Sequence, residues 1–245
     1  MLFKRKKLDN NFDTDIPKIV VGTKQGHSQG YNRIRDNLIY YSDNGKNKVY
    51  QVESSISGEG KTTIVCNLAV SLANSGKKVV VVDLDFRRPK IHRSFSIVNL
   101  NGITEYMLGE CQEAELIKKT SMGVDVINRG RESHNPSVIF TSEKFKELIN
   151  KLRAEYDVVL LDCPPILLVS DYIHISKCSD AVIFVLCAGA THRSHLKESM
   201  ELLKRNNANV MGLVMTYYNN GKFSLKSNYY GGRYYSSLYN KYSDK

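Results

Sequence analysis

Eight consecutive residues, Ser55-Ile56-Ser57-Gly58-Glu59-Gly60-Lys61-Thr62, combine two glycines, a lysine and hydroxyl side chains in the spacing of a phosphate-binding loop. Each type has a task. Gly58 and Gly60 let backbone N–H groups turn inward to cradle phosphate oxygens where a side chain would intrude. A helix starting at the end of the loop points its positive pole at the phosphates. Lys61 reaches the β- and γ-phosphates, and the Thr62 hydroxyl can hold Mg²⁺. The expected contact set for a nucleoside triphosphate is therefore Ser57, Gly58, Glu59, Gly60, Lys61, Thr62 and Thr63. The pattern is that of a P-loop (Walker A) with Ser55 in place of its first glycine.

Two acidic sites follow buried-looking strands. Val79 to Val82 leads to Asp83-Leu84-Asp85-Phe86-Arg87-Arg88-Pro89, and Val158 to Leu161 leads to Asp162-Cys163-Pro164-Pro165. Ligands of open parallel sheets lie at the carboxyl ends of the strands, where a carboxylate is placed for Mg²⁺ or for proton removal. Asp162 reads as the Walker B aspartate. Asp83 and Asp85 are more than a simple nucleotide site needs. Alternation along an extended backbone puts both on one face, so that one can bind metal while the other accepts a proton from a hydroxyl nucleophile. The bland alternative is that one of them merely caps a helix.

The elements that must position these residues are legible in outline. Residues 28–41 have a helical pattern, with Tyr31, Ile34, Leu38 and Tyr41 on one face. Val49 to Glu53 reads as a strand entering the phosphate loop. A helix follows from about Thr62 to Asn74, with Gly76 placed to end it. The β-branched run Val79 to Val82 fits a strand buried on both faces. Further strands are expected at Val124 to Ile127, Val158 to Leu161, Ala181 to Leu186 and Val210 to Met215. Further helices are expected over residues 141–155 and from about Ser194 to Asn206. Alternating strands and helices predict an α/β fold with a doubly wound, mostly parallel sheet and right-handed crossovers. Three parts are expected: a flexible basic segment over 1–27, the P-loop domain over 28–218, and a tail over 219–245.

The chain has 245 residues and a net charge of +10. Lys4, Arg5, Lys6 and Lys7 lie at one end; Lys222, Lys226, Arg233, Lys241 and Lys245 lie in the tail against Asp244. The body between is nearly balanced. A nucleic-acid-binding domain carries its basic stripe on a folded face, so no nucleic-acid partner is expected. The two basic ends fit contacts with an acidic protein or membrane surface, or simple solvation. No apolar run approaches the roughly 18 residues of a membrane span, and no apolar core follows the basic start as in a signal peptide. A cytoplasmic protein is expected. Five cysteines without a C-x-x-C pair read as buried hydrophobes rather than a disulfide or zinc framework.

The tail holds Tyr229, Tyr230, Tyr234, Tyr235, Tyr239 and Tyr242 among Gly, Ser, Asn and Lys. Its few aliphatics cannot build a core, and it reads as disordered. Tail composition alone fits an adhesive low-complexity segment. Beside an ATP site, the same hydroxyls read as phosphoacceptors.

Taken together these residues resemble the bacterial tyrosine kinases of capsule and exopolysaccharide synthesis, over roughly residues 28–245. The resemblance rests on Gly58-Glu59-Gly60-Lys61-Thr62, Val81-Val82-Asp83-Leu84-Asp85-Phe86-Arg87-Arg88-Pro89, Asn135-Pro136-Ser137, Asp162-Cys163-Pro164-Pro165 and the tyrosine cluster. It implies a tyrosine autokinase using ATP and Mg²⁺. Lys61 and Thr62 would hold the nucleotide and metal, Asp85 and Asp162 would support the metal, and Asp83 would be the base for the tyrosine hydroxyl. It implies a homo-oligomer in which one subunit's tail enters its neighbour's site. It further implies a membrane-anchored activator of the polysaccharide co-polymerase type, which recruits the kinase to the inner face of the membrane, and a cognate phosphotyrosine phosphatase.

Some positions depart from the family. Its Glu-x-x-Arg-x-x-Arg in the first helix is matched by Gln29-Gly30-Tyr31-Asn32-Arg33-Ile34-Arg35, where only Arg35 agrees. Ser57 stands where a proline is common, and Thr216-Tyr217-Tyr218 stands where the last core strand often leads to an asparagine. Cys187 lies where an arginine is common, with Arg193 nearby. The competing readings are a partitioning or division-site ATPase, which usually carries an extra lysine early in the loop where this chain has Ser54-Ser55-Ile56-Ser57, and a non-catalytic nucleotide-dependent scaffold.

Overall fold

The computed structural model describes residues 17–21, 28–42, 45–133 and 135–217. Seven strands form one sheet: β1 Val49–Ser54, β2 Val79–Asp83, β3 Lys118–Lys119, β4 Val124–Ile127, β5 Val158–Asp162, β6 Ala181–Cys187 and β7 Val210–Thr216. Their order across the sheet is β3-β4-β2-β5-β1-β6-β7. All pairs are parallel except the short margin pair of β3 with β4. β1, β2, β4, β5 and β6 are buried along their whole length, which is why they read as unbroken apolar runs.

The helices are α1 Ser28–Tyr41, α2 Lys61–Asn74, α3 Ile91–Ser94, α4 Ile103–Leu108, α5 Glu113–Leu116, α6 Pro136–Thr141, α7 Glu143–Glu155, α8 Tyr172–Ser176 and α9 Arg193–Arg205. They cover both faces of the sheet. On one side Leu68, Leu72 and Leu38 pack with Val52, Val81 and Leu160. On the other Phe145, Leu148, Ile149 and Leu152 pack with Val80, Val82, Val159 and Leu161. Odd and even residues of one strand thus serve opposite faces, as strand alternation requires. The helix expected over 141–155 is α7, which starts two residues later at Glu143 and is preceded by the short α6. Ser142 divides them, its side chain accepting from the Phe145 backbone N–H at 3.2 Å as an N-cap, and Pro136 opens the first at the tolerated N1 position.

Residues 17–21 belong to the lead-in of the sequence reading, and they are tied to the domain. Asn67, fully buried on α2, accepts from the Val20 and Val21 backbone N–H groups at 2.7 and 3.2 Å and donates to the Lys18 carbonyl at 2.9 Å. Val21 joins the core. The rest of the basic N-terminal stretch and the disorder expected after residue 219 lie outside the described residues. Among the described residues no helix is long and apolar enough to cross a membrane.

Candidate active site

β1 delivers the chain to the phosphate loop and α2 carries it away, the strand–loop–helix context that gives the motif its meaning. Gly58 and Gly60 both have left-handed backbones, with φ of 86° and 92°, which a side chain would strain. Gly60 is also hemmed in: a Cβ there would meet the Thr216 methyl at 3.0 Å. α2 opens with no side-chain cap, so its first-turn N–H groups remain for a ligand. The Lys61 ammonium lies back along the loop, donating to the Ser54 hydroxyl at 3.0 Å.

Much of the loop's support was not legible as chemistry. Glu59 was expected among the nucleotide contacts. Its side chain turns inward and is fully buried, so that any such contact falls to the backbone N–H. One carboxylate oxygen accepts from the Ile56 N–H at 3.0 Å and the other from the Thr191 hydroxyl, while Thr216 Oγ1 donates to the Glu59 carbonyl at 2.8 Å. Ser55 lies 3.0 Å from the Ser199 hydroxyl of α9. Thr191 and Ser199 were missed by sequence reasoning, the only signal toward them being the non-glycine Ser55, and Thr216 was noted only as standing where the last core strand often leads to an asparagine.

The acidic residues converge on this loop. Asp83 and Asp162 are paired in register at the carboxyl ends of adjacent β2 and β5. Thr62 Oγ1 donates to Asp162 Oδ2 at 2.8 Å, and the buried Asp162 Oδ1 has no hydrogen-bond partner. Asp83 has no exposed surface, and its oxygens accept from the Asp85 and Ile91 backbone N–H groups at 3.3 and 3.2 Å. Asp85 differs from it. It lines a cavity of about 1100 Å³ together with Ser57, Gly58, Gly60, Lys61, Thr62, Thr63, Arg88 and Lys90. Its Oδ1 accepts from the Arg88 N–H at 2.9 Å. The structure therefore brings the three aspartates to one end of the sheet, but only Asp85 reaches the cavity wall.

The acid loop is itself anchored. Arg129, at the exit of β4, donates to the Phe86 carbonyl at 2.8 Å. The Phe86 ring packs edge-on against Phe140, centroids 5.3 Å apart. Burial raises the Asp83 carboxyl well above the usual range, with Asp162 and Asp85 adding repulsion. Burial also raises Asp162, against the opposing pull of Lys61 and Thr62. Crowded carboxylates that hold protons too tightly, beside an unpartnered carboxylate oxygen and a threonine hydroxyl, suit a cation. Among the described residues no three His, Cys, Asp or Glu side chains are grouped for a metal. Mg²⁺ takes one or two carboxylates and completes its shell with phosphate and water; Asp162 and Thr62 are the residues that would hold it.

A family model described as an AAA domain matches residues 47–210. Tyrosine-protein kinase YwqD of Bacillus subtilis strain 168 is 32% identical over 209 residues, covering 85% of this chain and 86% of that one. The chain belongs to the bacterial tyrosine kinases. Solved structures of such kinases share its fold. The kinase domain of the Escherichia coli tyrosine kinase ETK matches with a TM-score of 0.79 and 25% identity over 90% of this chain and 86% of that one. The chimerical protein CapA2B2 matches with a TM-score of 0.77 and 30% identity over 82% of this chain and 91% of that one. Arg35 pairs with Asp36 at 2.8 Å and lies within 3.5 Å of the Asn32 and Ser71 side chains, holding α1 to α2.

Proposed function

We propose that this chain is an ATP- and Mg²⁺-dependent tyrosine autokinase whose acceptors are Tyr229, Tyr230, Tyr234, Tyr235, Tyr239 and Tyr242 of its own tail, modified between subunits. The observation that carries the reading is the Thr62–Asp162 pair. Its hydroxyl and its unpartnered Oδ1 stand at the end of the phosphate loop, facing the carboxyl end of β2. Bound there, ATP with Mg²⁺ would supply the transferable phosphoryl group and the charge that neutralises it.

The chain's own residues then divide the work. The loop N–H groups and Lys61 bind and orient the phosphates. Thr62 and Asp162 hold the metal, with Asp85 beside them. A base must face the tyrosine hydroxyl. Asp85 lines the cavity, whereas both Asp83 oxygens are taken by backbone amides, so the geometry favours Asp85 for that contact and Asp83 as the organiser of the acid loop. Asp83 serves as base only if the amides of Asp85 and Ile91 release it.

The physiological setting follows from the family: control of capsular or exopolysaccharide synthesis and export. The kinase would act as a homo-oligomer, cytoplasmic, recruited to the inner membrane face by an anchored activator and reset by a phosphotyrosine phosphatase. The basic composition of the two ends of the sequence would suit such peripheral contacts. To test the reading, the protein is incubated with ATP, Mg²⁺ and candidate activator segments, and label is mapped by mass spectrometry. Phosphotyrosine within residues 229–242, absent in Asp162→Asn, supports it. ATP turnover stimulated by DNA or lipid without phosphotyrosine would favour a partitioning-type ATPase instead.

A further inference from the structure

Every residue from Ser57 to Thr63 lines the cavity except Glu59. Glu59 is fully buried beneath the loop. An acidic side chain under a loop built for a triphosphate works against binding, because like charges repel across a short, poorly screened distance. Glu59 therefore needs a compensating task, and its contacts supply one.

Glu59 Oε2 accepts from the Ile56 N–H at 3.0 Å. That bond closes the chord of the loop across Gly58, whose backbone is left-handed at φ 86°. The Ile56 carbonyl accepts from the Ser54 hydroxyl at 2.9 Å, so both backbone groups of Ile56 are fixed. Glu59 Oε1 accepts from the Thr191 hydroxyl. Thr191 Oγ1 in turn accepts from the Cys187 N–H at 2.8 Å. The Glu59 carbonyl accepts from Thr216 Oγ1 at 2.8 Å. One loop residue is thus tied to the loop's own chord, to the exit of β6 and to the end of β7. We propose that Glu59 and Thr191 are positioning residues for the phosphoryl donor, holding the phosphate loop in its anion-binding shape before nucleotide arrives.

The proposal rests on the reading that this loop binds ATP. Amides turned toward one point repel one another until an anion fills the space between them. A loop with two glycines has other shapes open to it. If the tie is cut, only a fraction of the empty protein is ready to bind, and the apparent affinity falls by that fraction. At saturating ATP the phosphates themselves restore the shape, so kcat is spared. The task is one of shape rather than of acidity. A glutamine can place its oxygen on the Ile56 N–H and its amide on the second lone pair of Thr191 Oγ1. It also takes the acid from beneath the phosphates.

Calorimetric titration of the full chain with ATP and Mg²⁺, and with tripolyphosphate, tests the pair. Glu59→Ala and Thr191→Val are expected to weaken ATP binding by roughly tenfold or more. Tripolyphosphate, which has no base or sugar, should lose the same factor, because the defect lies under the phosphates. Glu59→Gln and Thr191→Ser should bind within about threefold of the parent, or more tightly in the case of glutamine. The rate of tyrosine phosphorylation at saturating ATP should stay within about threefold of the parent in every variant that binds. Glu59→Gln binding as weakly as Glu59→Ala would overturn the proposal, since the acid itself would then be needed. Parent affinity in Thr191→Val would overturn it as well. So would a fall in kcat with affinity unchanged, which would place Glu59 in the chemical step. Should Glu59→Ala fail to fold, the Thr191→Val and Thr191→Ser pair decides the question. Affinity is read without phosphoryl transfer, so a chain that binds ATP and makes no phosphotyrosine sinks the autokinase reading and leaves this one standing.

Discussion

Ser55 and Ser199 meet hydroxyl to hydroxyl at 3.0 Å, both fully buried, across 144 residues of sequence. Ser55 occupies the position where the P-loop pattern has its first glycine, and Ser199 sits on α9. The non-glycine residue is accommodated because a partner on another element satisfies it. Ser199→Ala leaves the Ser55 hydroxyl buried and unpaired, a loss of about 1–3 kcal/mol. For a domain of this size that lowers Tm by roughly 2–10 °C. Ser55→Ala with Ser199→Ala removes both partners and should cost less than the two single changes combined. Additive losses in that double-mutant cycle, read by thermal melting, would show that the contact carries no coupling.

Asn67 is the clamp on residues 17–21, with its side-chain oxygen and nitrogen both engaged on backbone groups. Asn67→Ala orphans buried backbone donors and is expected to cost about 2–4 kcal/mol. Limited proteolysis should then cut before residue 22 at protease levels that leave the parent intact. An unchanged digestion pattern would mean that the segment is held by Val21 packing alone.

The fold was legible because its strands are buried on both faces and announce themselves as apolar runs, as Val79–Val82 does. The phosphate loop was legible because glycine, lysine and threonine each have one job there. The supporting contacts were not. Glu59 stood in the sequence only as one of the loop contacts, since nothing local says that a carboxylate in a loop will turn inward to Thr191. Asp83 and Asp85 looked equivalent by alternation, but β2 ends at Asp83, and past the strand alternation no longer governs direction. Asn67 looked like one more polar residue on a helix, because its partners lie 46 and 47 residues away.

Arg129 anchors the acid loop through the Phe86 carbonyl, two links from any reacting atom. Arg129→Met removes a charged hydrogen bond of about 1.5–3 kcal/mol. If the bond positions Asp85, tyrosine phosphorylation should slow by roughly tenfold or more in kcat, while ATP binding measured by titration changes little. A parallel fall in ATP affinity would indicate collapse of the site rather than misplacement of Asp85.

Glu53 is fully buried on β1, and burial raises its carboxyl to about 8, the Gln51 hydrogen bond opposing. Above its ordinary range the folded protein thus holds a proton that the unfolded chain has released. The stabilising contribution is complete at acidic pH and is lost as pH rises through about 8. Glu53→Gln should gain stability relative to the parent as pH rises from the ordinary carboxylate range to about 8 and level off above it, with a slope of at most about 1.4 kcal/mol per pH unit. Parallel stability curves for the two proteins by chemical denaturation across that range would contradict this.

In the proposed autokinase, the Lys61 loop holds the phosphoryl donor for tail tyrosines of another subunit. Untagged active protein is mixed with tagged Lys61→Met protein, ATP, Mg²⁺ and the activator segment, and phosphotyrosine on the tagged chain is quantified over time. The expected result is label at Tyr229 and Tyr230 of the tagged chain in the mixture, at a rate that rises with the concentration of active protein, and none when the tagged chain is incubated alone. Label on the Lys61→Met chain by itself, or an active chain that labels its own tail at a rate independent of dilution and leaves the tagged tail bare, would contradict it.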